Sequence, residues 1–182
     1  MTVSSSQHDA IVISDRLQKR LESLNVTLLL LSVNGRAEPQ GSCQWLDRLL
    51  IQSPQFIGYI RKNWLILNEQ HGQVIEVWPG LWLLPLAAYN RRRTNTDNVS
   101  GDLHAIMIVG SQITQSEQLR HACDVGHMDY QAALARINNA QLVNSQEITR
   151  LASTLNWMYE DSGEIDRRLS EIHAMSRELA ES

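Results

Sequence analysis

The chain has 182 residues, 43% of them hydrophobic, and a formal net charge of -4. That length allows one domain, or one domain with an extension, and enough apolar side chains for a packed core. The acidic balance excludes a general attraction to nucleic acid or to anionic lipid.

Cys43 and Cys123 are the only cysteines. Two cannot form a disulfide framework, so a reducing compartment is expected. The start, MTVSSSQHDA, has no basic region followed by an apolar run, and no later apolar stretch is long and unbroken enough to span a bilayer. The expectation is a soluble cytoplasmic protein that uses neither membrane nor nucleic acid. Arg91, Arg92 and Arg93 form the one dense basic spot and read as a solvated turn.

Residues 1–8 are polar and are expected to be disordered. Residues 9–24 read as a helix, because Ile13, Leu17, Leu21 and Leu24 recur at steps of four and three. Residues 26–33, VTLLLLSV, form a continuous apolar run that fits a strand buried on both faces, ended by the turn signal Asn34-Gly35. Two short helices follow, 43–51 with Cys43, Leu46 and Leu50 inward, and 54–61 with Pro54 in its first turn. Residues 64–67 are apolar but too short for periodicity to fix their type; a strand is the first choice. His71-Gly72 turns the chain. Residues 74–78 and 81–87 read as two strands joined tightly at Pro79-Gly80, and 91–102 as a polar loop. Residues 104–113, HAIMIVGSQI, form a further strand in which Gly110 marks a bulge or a close backbone approach. A helix over 116–124 is expected to end on a left-handed cap at Gly126. Another over 128–142 places Tyr130, Leu134 and Ile137 inward. The expected fold is mixed α/β (α+β): an antiparallel sheet with flanking helices over 9–142, then a single long helix over 146–182.

The long helix carries the strongest periodic signal. Alternate steps of three and four from Ile148 give Leu151, Leu155, Met158, Ser162, Ile165, Leu169, Ile172, Ser176 and Leu179, the rhythm of a heptad seam. A repeat held at 3.5 residues, where a globular face drifts toward 3.6, predicts a homodimeric coiled coil with Ile148, Leu151, Leu155, Met158, Ile165, Leu169, Ile172 and Leu179 at the interface.

The chemistry is sparse. His121, Cys123, His127 and Asp129 are ligand types, but their spacing does not converge and no second cluster completes a metal site. No nucleotide loop or nucleophile motif appears, so neither enzyme activity nor a cofactor is expected. Trp64, Trp78 and Trp82 bring large apolar area with one donor each, suited to an apolar pocket, and Gln112 offers a polar contact. With Cys43, Leu81 and Met107 they form the expected ligand-binding set. A core filled by these same side chains, leaving a dimerisation or scaffolding domain without a ligand, is the alternative.

The order of features resembles the PocR-type sensory domain, a ligand-binding relative of the PAS and GAF folds. The resemblance runs over residues 24–155. It rests on SCQWLDRLLIQSP, on Gly80-Leu81 with Pro85 in VWPGLWLLPLAAYNRR, and on Gly110-Ser111-Gln112 closing HAIMIVGSQ. Such a domain implies a small-molecule pocket. Here Trp78-Pro79 stands where the family often has a cysteine, which makes that pocket more apolar and argues against a cysteine-held metal. The long helix resembles the signalling helices that join such sensors to output domains, among them HD-GYP phosphohydrolases, kinases and transcriptional regulators. The combined expectation is a two-component-type sensor that signals to an output domain outside this chain.

Overall fold

The apolar runs of the sequence become the centre of a five-stranded sheet. The structure is a computed structural model and describes residues 15–86, 101–140 and 142–181, the side chains at 15, 162–170, 173 and 181 excepted. Residues 1–8, Ile13, Ala87, Arg91 to Arg93 and the side chains of Ile165 and Leu169 therefore lie outside the described residues.

In chain order the elements are α1 (Asp15–Ser23), β1 (Thr27–Leu31), β2 (Ala37–Pro39), α2 (Trp45–Ile51), α3 (Pro54–Lys62), α4 (Trp64–Glu69), β3 (Ile75–Trp78), β4 (Leu81–Pro85) and β5 (Leu103–Val109). A 3-10 turn (Ser111–Gln115), α5 (Glu117–Val125), α6 (Tyr130–Asn138), a second 3-10 turn (Ser145–Glu147) and α7 (Ile148–Glu181) complete them. The sheet order is β2-β1-β5-β4-β3, and every pairing is antiparallel.

Strand alternation divides the core in two. Leu29, Leu31, Leu81, Leu83, Ala105 and Met107 point to one face, where α2, α3, α4, α5 and α6 cover them. Leu28, Trp82, Leu84, Ile106 and Ile108 point to the other, where α1 and α7 cover them. Both faces being covered explains why β1, β4 and β5 read as unbroken apolar runs. β2 is half-buried at one edge and ends in Pro39, a residue that an edge strand tolerates.

Several expectations are corrected. Residues 64–67 are not a strand. They open α4, which follows α3 after the single residue Asn63. Asn63 and Asn68 donate side-chain hydrogen bonds to the carbonyls of Tyr59 and Trp64, four residues back, near the ends of the two helices. Gly126 does not cap α5 in the left-handed region. Its φ is -82°, and the positive φ falls on His127 at 55°. A side chain at Gly126 would strike Leu49, so the glycine is there for closeness rather than conformation.

The largest correction concerns α7. Leu155 and Met158, expected at a dimer seam, are buried in the chain's own core with Ala152 and Tyr159, against Trp82, Ile106 and Ile108. Ile148 and Leu151 are partly buried against the same cluster. The globular unit therefore extends past residue 142, to Tyr159 at least. Further along the helix, Ile172 is 56% exposed, Met175 63% and Leu179 75%.

Candidate functional site

The residues expected to line an apolar pocket do not converge. Trp64, Trp78, Leu81 and Met107 lie in the core on the five-helix face, while Trp82 lies on the opposite face beneath α7. All five are buried. Cys43 is partly buried before α2, and Gln112 is exposed, its amide donating to Ser145 Oγ at 3.4 Å. Trp78 packs edge-on to Phe56 with ring centroids 6.3 Å apart, and its indole Nε1 has no hydrogen-bond partner. Beside Leu21 and Leu28, near α1, a void of about 10 Å³ is at the threshold for one water. Among the described residues, Trp64, Trp78, Leu81, Met107 and Trp82 are packed in two separate core clusters and line no common pocket.

Glycines make this packing possible. Gly80 has φ +87° in the β3–β4 turn, and its carbonyl accepts from Gly110 N–H at 2.7 Å. A side chain there would overlap the Ile113 backbone, and one at Gly110 would meet the Trp82 ring. The turn between Trp78 and Trp82 is thus pressed onto the end of β5.

Ionisable groups sit inside the layers. Asp47 is buried in α2 and accepts a short hydrogen bond from the Thr27 hydroxyl on β1. Burial pushes its pKa up, and the Thr27 bond opposes this in part. His104 of β5 faces α7, with its ring 6.5 Å from that of Tyr159. Its Nε2 is buried without a partner. Burial lowers its pKa, against a smaller opposing pull from Asp102, so the neutral imidazole is favoured. Cys123 is fully buried, and burial raises its thiol pKa with help from Asp124 and Asp129. Cys43 is also pushed up, by burial and then Asp47, with Arg48 opposing. Neither thiol has the lowered pKa of a reactive cysteine. Among the described residues no three His, Cys, Asp or Glu side chains gather as a metal site would require. None of the described helices is long and apolar enough to cross a membrane.

A different concavity does exist. Gln55 of α3, Gln115 and Ser116 at the end of the first 3-10 turn, the outer face of α5 and Tyr130 of α6 enclose a cleft of about 460 Å³. Its elements are fixed by local signals. Ser53 caps α3 through Phe56 N–H, Ser116 caps α5 through Leu119 N–H, and Asp129 caps α6 through Ala132 N–H. Arg120 lies over the Tyr130 ring, 4.7 Å from its centroid. None of the expected ligand-binding residues lines this cleft.

No family model matches the chain, and no curated protein or solved structure is significantly similar to it.

Proposed function

We propose that the chain is a regulatory module of PAS/GAF-like architecture that passes the state of its sheet domain through α7 to a second copy of itself. One observation carries this reading: a single apolar stripe on α7 changes environment along its length. Leu155 and Met158 are buried in the chain's own core, and Ile172 and Leu179 continue the same register into solvent. Exposed large apolar residues held in a heptad register suit a two-stranded seam. Because one rigid helix serves both contacts, a shift of its inner half against the sheet must move its outer half.

The antiparallel sheet with helices on both faces supports the PAS/GAF-like part. The burial of Trp64, Trp78, Trp82, Leu81 and Met107 in two separate clusters favours the version of this module in which no apolar ligand enters between sheet and helices. Dimerisation is then the primary property, and any input acts elsewhere on the domain.

Replacing Ile172 and Leu179 together by arginine in the full chain tests the reading. Light scattering should give a dimer for the parent chain and a monomer for the variant, with similar unfolding transitions at low concentration. A monomeric parent at every concentration, or a variant that stays dimeric, would overturn it.

A further inference from the structure

The cleft walled by α3, α5 and α6 lies on the face of the sheet opposite α7 and contains no residue of the proposed dimer arm. Its volume of about 460 Å³ is that of a small-molecule site, but its wall is polar. The sequence of α5 sets that character. Leu119, Ala122 and Cys123 face the core. Glu117, Arg120, His121 and Asp124 recur at steps of three and four on the outer face, and all four line the cleft.

The charges on this face are arranged but not neutralised. Arg120 is stacked on Tyr130, which holds its guanidinium in place. It makes no ion pair among the described residues, although a carboxylate stands about one turn to either side. Asp124 lies in the last turn of α5, where the helix dipole disfavours a negative charge. Gln55 and Gln115 bring amide groups from other elements. A lone anion would meet Arg120 but be repelled by Glu117 and Asp124. A lone cation would meet the carboxylates but be repelled by Arg120. A molecule carrying both charges, separated by about the 5.4 Å of one helical turn, satisfies Arg120 and Asp124 together.

We propose that this cleft binds a small zwitterion, with its carboxylate on Arg120 and its ammonium group on Asp124. The proposal does not depend on dimerisation, and binding itself is the readout. The probe is 4-aminobutyrate, whose two charged groups are separated by three methylenes; butyrate and butylamine are the single-charge controls. Each is titrated into the full chain while the backbone amide resonances of α5 are followed by NMR. Saturable shifts with 4-aminobutyrate are expected, at an affinity at least about tenfold above either control. Arg120→Gln should abolish them. Asp124→Asn should remove the preference for 4-aminobutyrate over butyrate and leave butyrate binding no weaker. Both side chains are exposed, so these variants should fold. Equal affinity for butyrate and 4-aminobutyrate would mean an anion site only. That result, the absence of saturable shifts, or unchanged binding by Arg120→Gln would each overturn the proposal.

Discussion

The inner and outer halves of α7 share one repeat and have opposite surroundings. From Ile148 to Tyr159 the helix lies on β4 and β5, and Leu155 is fully buried. From Ile172 to Leu179 the apolar residues described on it stand in solvent. A heptad rhythm thus reports that a stripe is apolar and regular but not what covers it. The sheet supplies a partner for the first half through Trp82, Ile106 and Ile108. Ile172 and Met175 of the second half belong to neither core cluster of the described residues.

The largest test of this contrast is truncation in both halves. Leu155→Ala should cost about 2–5 kcal/mol in urea unfolding, because it removes transfer energy and leaves a cavity. Leu179→Ala should stay within about 0.5 kcal/mol when measured on the monomer. Equal losses would break the distinction.

A second test uses the histidine beneath the docked half. His104 has its folded-state pKa lowered by burial, below the ordinary value of about 6.5. The unfolded chain therefore binds more protons as pH falls below that value, and stability is lost across the window down to the lowered folded pKa. The urea midpoint should drop as pH falls through about 6.5, and His104→Gln should flatten this dependence. An identical drop in the variant would place the titration elsewhere.

The smallest effect is at a side-chain hydrogen bond by which α7 holds the loop before β3. Asn156 Nδ2 donates to the carbonyl of Gly72 at 3.0 Å. Asn156→Ala should cost about 1 kcal/mol, the usual net value of one such bond. It should also raise hydrogen exchange in the inner half of α7 more than in β5.

The strands were legible where burial on both faces left a mark. Runs 26–33, 81–87 and 104–113 became β1, β4 and β5, because no polar alternation was needed on either side. β2 left no mark, since Ala37-Glu38-Pro39 is a half-buried edge without an apolar run. Trp64-Leu65-Ile66-Leu67 misled because four apolar residues carry no period; Trp64 and Leu67 turn inward, and Leu65 and Ile66 outward, as a helix requires. The tryptophans were read correctly as large and apolar, but their sides of the sheet could not be read from composition. Trp78 and Trp82 are four apart, yet the tight turn pairs Trp78 with Leu81, so Trp82 points to the opposite face. The cleft was invisible for another reason. Gln55, Gln115 and Tyr130 come from separate elements and meet only after folding.

The hydrogen bond between Asn156 and Gly72 joins residues 84 apart in the chain. Every strand and all the helices on the far face lie in the sequence before α7 begins. Seating its inner half therefore closes long loops, back to the Gly72 turn and further back to α1, and the entropy of closure is lost before the contacts form. Contacts of such separation form more slowly than the tight β3–β4 turn does.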